Sequence, residues 1–300
     1  MLGYPSTIGA ALHLGRVGLW SVLFRTLDRA AAKDAVAQLE ELDFETLWIP
    51  ESGTRIILDV VSDLLAASRR IRIASGILNI WMHEPEDVAT AVDGFRERYP
   101  ERFLLGLGVS HASLVEPATG RDYTRPRSMM IDYLDRLDDA APAVGAHERI
   151  LAALGPRMLE LAKARSLGAH PYCIPVDGTA VARTALGPGP LVASELKAVL
   201  VEDATLARSL AREHLSHYLD MPNYVNSLFR FGFTEDDLGG GGSNRLVDAL
   251  VAWGSPERIV ERAREHHDAG ADHVCVNVIP ADATTFPLEE WGLLASALKG

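Results

Sequence analysis

The chain is poor in cysteine. Only two occur among 300 residues, Cys173 and Cys275, each inside an apolar run. They read as buried thiols of a reducing compartment, not as a disulfide framework. Long apolar runs are missing too. No stretch reaches the roughly 18 residues of a membrane-spanning helix. Residues 1–14 lack the basic start and cleavage site of a signal peptide, and read as a loose N-terminal extension. Positive charge is scarce: 29 Lys and Arg face 41 Asp and Glu, giving a formal net charge of −12. That balance argues against nucleic acid or an anionic membrane as the main partner. Several catalytic signatures are absent. There is no Gly-x-Ser-x-Gly and no Walker sequence, and Gly106-x-Gly108 lacks the rest of a dinucleotide fingerprint. His214 and His217 lie three apart, not four apart around a glutamate as in zinc proteases, and are expected on a solvated helix face. The expected partner is therefore a small molecule, and the expected location the cytoplasm.

What the chain does have is alternation. Apolar strand candidates at Val17–Val22, Thr46–Pro50, Ile71–Leu78, Phe103–Val109, Ile150–Leu154, Ala169–Ile174, Ala193–Val201 and His273–Ile279 are separated by amphipathic stretches. Ala32, Ala35, Val36, Leu39 and Leu42 recur at helical spacing after the first of them. Ser255-Pro256-Glu257 reads as a helix start, with a cap, a proline at the first position and an acid in the first turn. Eight strands alternating with helices predict an α/β fold, a (βα)8 TIM barrel in one domain, residues 15–300. The connection between strands seven and eight is too long for one helix. Residues 203–254 are expected to form an extra helical insertion with a mobile glycine run, Gly239–Gly242.

Gly155-Pro156-Arg157-Met158 stands between a strand candidate and a helical stretch. Glycine admits close backbone approach. Proline at the first helical position wastes no N–H. The free N–H groups that follow suit an anion, and Arg157 adds a charged fork. The segment predicts a phosphate cradle.

These segments together resemble the luciferase-like flavin and deazaflavin oxidoreductases. The resemblance runs from about residue 15 to residue 279. It is carried by Leu47–Glu51, Ala74–Asn79, Phe103–His111 and Gly155–Ala162, with Leu246–Leu250 and Ala269–Val274 fitting as well. Within the family the chain looks most similar to the branch that uses coenzyme F420, a deazaflavin that transfers hydride. The resemblance implies an F420-dependent oxidoreductase acting on a small organic substrate. The alternatives are an FMN-dependent monooxygenase and a barrel that has lost its cofactor. Family members often form homodimers.

The resemblance also implies site residues. Gly76-Ile77 matches the place of a cis, non-proline peptide bond that presses on the central ring of the cofactor, with Asn79 near the ring edge. Gly108, Val109 and Ser110 end the fourth strand with small residues that let a flat ring lie close. His111 is a candidate acid or hydrogen-bond donor. Glu51 fits the acid that ends the second strand in F420 relatives. Ser52 stands where those relatives carry a histidine, and a serine is a poor proton donor. Gly155 to Met158 would hold the phosphate, which F420 and FMN share. Arg121, Arg125 and Arg127 are candidates for the acidic tail of F420, although a solvated basic loop is the simpler reading. Trp20, Trp81 and His170 stand at strand ends, as pocket walls or as packing.

Overall fold

The structure is a computed structural model that describes residues 13–52 and 55–300. The predicted extension at residues 1–14 therefore lies almost wholly outside the described residues. Eight parallel strands form a closed barrel: Val17–Trp20, Thr46–Ile49, Arg72–Ser75, Phe103–Gly108, Arg149–Ala152, Gly168–His170, Leu191–Val199 and His273–Val278. Each pairs with the next in the chain. The eighth closes the ring by pairing with both the first and the seventh, with Val17 opposite Val274 and Ala193 opposite His273. This is the TIM-barrel fold.

The helices form where the apolar spacing placed them. Helix Arg29–Glu41 starts on Asp28, whose side chain accepts from the N–H groups of Ala30 and Ala31 at 2.8 and 3.1 Å. Helices Pro85–Arg98, Pro126–Asp139, Pro156–Arg165, Pro222–Arg230 and Pro256–Asp268 all open on a proline in the first turn. Except for Pro222–Arg230, whose Leu228 packs in the separate cluster of the insertion, their buried faces pack on the outer face of the barrel in one apolar layer with Leu47, Ile73, Leu105 and Val274.

A smaller apolar cluster fills the barrel itself, including Trp20, Trp48, Leu104, Ile150 and Cys275. Leu14 closes the N-terminal end, its carbonyl accepting from the Thr46 hydroxyl at 2.6 Å. Just above, Trp48 Nε1 donates to His273 Nε2 at 3.0 Å, and His273 Nδ1 meets the Gly15 carbonyl at 2.8 Å. His273 is thus a neutral imidazole with its proton on Nδ1. Both cysteines are buried free thiols.

Several predicted strands are too long, for local reasons. The sixth ends at His170 because Pro171 has no N–H to give and Cys173 turns to φ 55°. The third breaks after Ser75 and resumes as a two-residue strand, Leu78–Asn79. Between them the Gly76-Ile77 peptide bond is cis. Ser75 bridges the break: its hydroxyl donates to the Gly106 carbonyl at 2.9 Å and accepts from the Gly106 N–H at 2.8 Å.

After the seventh strand the chain leaves the barrel as helices Ala204–Leu219, Pro222–Arg230 and Asn244–Leu250. Gly239–Gly241 forms a 3-10 turn among them, anchored where Gly242 N–H meets the Gly239 carbonyl. The segment returns as strand Val251–Trp253, which pairs with Lys197–Val199. That pairing takes the edge of the seventh strand that the sixth strand occupies only at Leu191 and Val192. The returning segment extends the barrel wall where the sixth strand stops.

Candidate active site

Strand ends and the insertion converge at the C-terminal mouth of the barrel, the usual place for chemistry in this architecture. Trp20 ends the first strand and donates from Nε1 to the Gly76 carbonyl at 2.9 Å. It therefore holds the cis bond from inside the barrel. Ile77 lies against the fourth strand: a Cβ on Gly108 would stand 2.6 Å from its side chain. Ile77 and Gly108 thus lie in contact, with Gly76 beside them against Trp20. Val109 and Ser110 follow Gly108 and act through their backbone. The Val109 carbonyl accepts from Trp81 Nε1 at 3.0 Å, and the Ser110 carbonyl accepts from the Tyr123 hydroxyl at 3.0 Å. Trp81 is 4 % exposed and belongs to the outer core rather than to a pocket wall.

Glu51 is occupied. Its Oε2 lies 2.8 Å from His83 Nε2 and accepts from the Asn79 N–H at 3.3 Å, while Oε1 meets the buried Arg25 guanidinium at 3.5 Å. Asn79 turns its side-chain oxygen to the Trp81 N–H at 3.2 Å. Glu51 and Asn79 thus order the loop after the third strand. His83, which carries no signal of its own in the sequence, sets an imidazole beside Glu51. Ser52 is exposed and stands apart from this network.

His111 faces the insertion. Its Nδ1 lies 3.3 Å from Asn223 Nδ2, and its ring packs on Tyr224 at 4.7 Å between centroids. Burial pushes its pKa down to about 4, so the imidazole is neutral near pH 7. His170 is buried, bonded to the Ala193 carbonyl at 2.8 Å and stacked on Trp48 at 4.5 Å. It is part of the barrel filling rather than of the rim.

At the helix Pro156–Arg165 the first turn is open. Met158 and Leu159 turn their N–H groups back to the Gly155 carbonyl, at 3.1 and 3.0 Å. The Arg157 N–H has no acceptor among the described residues. Gly155 has φ −110°, which any residue adopts, and a Cβ added to it would meet nothing within 4 Å. Neither backbone nor packing requires glycine there, and the space beside it is open. Three guanidinium groups surround this turn. Arg157 belongs to it, Arg127 Nε lies 3.5 Å from the Arg157 carbonyl, and Arg230 donates to the Leu154 carbonyl at 3.0 Å. Among the described residues none of the three pairs with a carboxylate, whereas Arg121 meets Glu84 at 3.5 Å. Arg230 comes from the insertion and carries no signal in the sequence.

The sequence also gave no sign of the charged centre of the mouth. Lys197, on the seventh strand, is fully buried and donates to both oxygens of Glu195, at 2.8 and 2.9 Å. Its ammonium faces the Tyr172 ring at 3.9 Å and the Tyr218 ring at 4.6 Å. Glu195 also accepts from the Cys173 N–H at 3.2 Å and from Asn277 Nδ2 at 3.1 Å. Every charge here is answered within the cluster, as burial demands. His214 is turned toward this cluster, its ring 5.4 Å from that of Tyr218, and not out to solvent as its spacing suggested.

The same architecture recurs in solved structures. An F420-dependent secondary alcohol dehydrogenase in complex with an F420-acetone adduct superimposes with a TM-score of 0.73 at 13 % identity, covering 94 % of this chain and 97 % of that one. A coenzyme F420 dependent tetrahydromethanopterin reductase from Methanopyrus kandleri gives 0.73 at 15 % identity, covering 94 % and 98 %. The oxygenating constituent of 3,6-diketocamphane monooxygenase from Pseudomonas putida, in complex with FMN, gives 0.64 at 15 % identity, covering 94 % and 97 %. At such identities the likeness is one of fold. No curated protein sequence matches the chain. The family of luciferase-like monooxygenases matches residues 11–273, nearly the whole barrel, and the chain belongs to that family.

Proposed function

We propose that the chain is an oxidoreductase that binds coenzyme F420 across the barrel mouth and acts on a small organic substrate. The single observation that carries this reading is the first turn of helix Pro156–Arg165. There an open glycine, a free N–H and three unpaired arginines meet in a chain whose net charge is −12. Three guanidiniums exceed what one phosphate needs. F420 carries further negative charge in its tail, and the excess supports F420 over FMN.

Arg157, Arg127 and Arg230 would hold the anionic part of the cofactor. The surface of Gly76, Ile77 and Gly108 would support its ring. When bound, the deazaflavin supplies a carbon that gives or takes hydride. The chain's own share is position and dryness. His111 is a neutral hydrogen-bonding group at the fourth strand end, and Glu51 with His83 fixes the loop beside the ring surface. Helices Ala204–Leu219 and Pro222–Arg230 would cover the bound ring and limit its contact with water.

The test is a fluorescence titration of the purified protein with oxidised F420 and, separately, with FMN. Tight F420 binding with weak FMN binding is the expected result. Preference for FMN would move the protein to the oxygen-using branch of the family, and binding of neither would overturn the assignment.

A further inference from the structure

The hydroxyls of Tyr172 and Tyr218 lie 2.7 Å apart. Two hydroxyls carry two protons, and one proton serves the bond between them. Among the described residues the only other polar group within reach is Asn277 Nδ2, 3.5 Å from the Tyr172 oxygen, and it is itself a donor. One O–H of the pair therefore has no acceptor among the described residues. Burial holds both phenols above their ordinary pKa, so the pair keeps both protons across neutral pH. Both rings are half-buried, as is that of Tyr224, which lies 5.3 Å from Tyr218 and 6.1 Å from Tyr172. Trp20, which holds the cis bond, packs on Tyr172 at 5.3 Å. The spare donor thus stands near Trp20 and the Gly76-Ile77 bond, within aromatic walls.

The charge around it is balanced. Lys197 is neutralised by Glu195 beneath the two rings. His111 and His214 are held neutral by burial, at about 4 and about 3. Among the described residues the cation set against the two rings is Lys197, already paired with Glu195, so a carboxylate drawn against them would be left uncompensated. A molecule with an oxygen acceptor but no charge would satisfy the spare O–H at no such cost.

We infer that Tyr172 and Tyr218 form the specificity-determining anchor for the substrate, and that the substrate is an uncharged organic molecule held through one oxygen acceptor. This rests on the barrel mouth being the active site, but not on which cofactor it takes. The two tyrosines come from different parts of the chain, Tyr172 from just past the sixth strand and Tyr218 from the insertion. Their bond ties the insertion to the barrel and aims the remaining proton.

The test compares three probes by saturation-transfer NMR, with and without F420: acetophenone, its alkene isostere α-methylstyrene, and benzoate. Acetophenone is expected to bind about three- to tenfold more tightly than α-methylstyrene, the worth of one neutral hydrogen bond. Benzoate is expected not to displace acetophenone, even if it binds at the arginines. The double variant Tyr172→Phe, Tyr218→Phe keeps the rings and is expected to lose the preference for the ketone. Tyr99→Phe, at the end of helix Pro85–Arg98 and before the fourth strand, is expected to keep it. Equal binding of ketone and alkene, displacement of acetophenone by benzoate, or no binding of acetophenone would each overturn the inference. The measurement without F420 separates this failure from that of the cofactor assignment.

Discussion

His83 Nε2 closes on Glu51 Oε2 at 2.8 Å, joining the loop after the third strand to the end of the second. The same carboxylate takes the Asn79 N–H and faces the buried Arg25. One acid thus ties three strand ends together at the rim. The sequence marks the acid but not its three partners, which arrive from elsewhere in the chain.

Removing that acid should loosen the rim more than it harms the barrel. Glu51→Ala is expected to cost about 1–3 kcal/mol, since Arg25 and His83 lose their acceptor. Urea unfolding should show a lower midpoint with an unchanged slope. A midpoint equal to that of the parent would show that the rim does not depend on Glu51.

Gly155 separates binding from folding. Gly155→Ala adds a methyl group where nothing lies within 4 Å, so the thermal midpoint should hold or rise slightly. Affinity for F420 should fall, because the methyl enters the space left for the anion. Arg157→Glu should weaken F420 by tenfold or more, about 1.5–3 kcal/mol for a charged hydrogen bond. Unchanged titration curves for both variants would remove the phosphate site from this turn.

Gly106 is the opposite case. A Cβ there would stand 1.8 Å from the Ser75 carbonyl oxygen, which is backbone and cannot yield. Gly106→Ala should destabilise by about 3 kcal/mol or more, through overpacking in the barrel wall. Soluble expression and a thermal melt read the outcome.

Acid should unfold the protein partly through histidine. His111, His170 and His273 are held down to about 4 by burial, against 6.5 in an unfolded chain. The unfolded state therefore binds more protons below 6.5, and stability falls as pH drops from 6.5 toward 4. His111→Asn keeps a polar group toward Asn223 and removes one titrating site. Urea midpoints between pH 7 and pH 4 should fall less steeply for that variant than for the parent.

The barrel was legible because its signals are local. Proline, capping groups and apolar spacing mark each unit, and Gly155–Met158 sits between one strand end and one helix start. The cis bond at Gly76-Ile77 came from the family likeness, since nothing in two residues announces it. The charged centre was not legible. Glu195 and Lys197 sit two apart on a strand that otherwise reads as plain buried apolar chain. Tyr172 and Tyr218 lie 46 positions apart and meet only because the insertion folds back. Arg230 and His83 were missed for the same reason, as long-range partners in segments without a motif of their own.

The excursion from the seventh strand begins and ends at register partners, Val199 and Trp253. Its two ends are thus about one strand spacing apart, roughly 4.8 Å in the ladder direction. A segment that leaves and rejoins at one point puts little demand on the rest of the scaffold. It is the natural unit of exchange in this chain. A shorter or longer segment between the same two residues would reshape the cover and replace Tyr218, Tyr224 and Arg230 together, while the eight barrel strands and the cis bond kept their places.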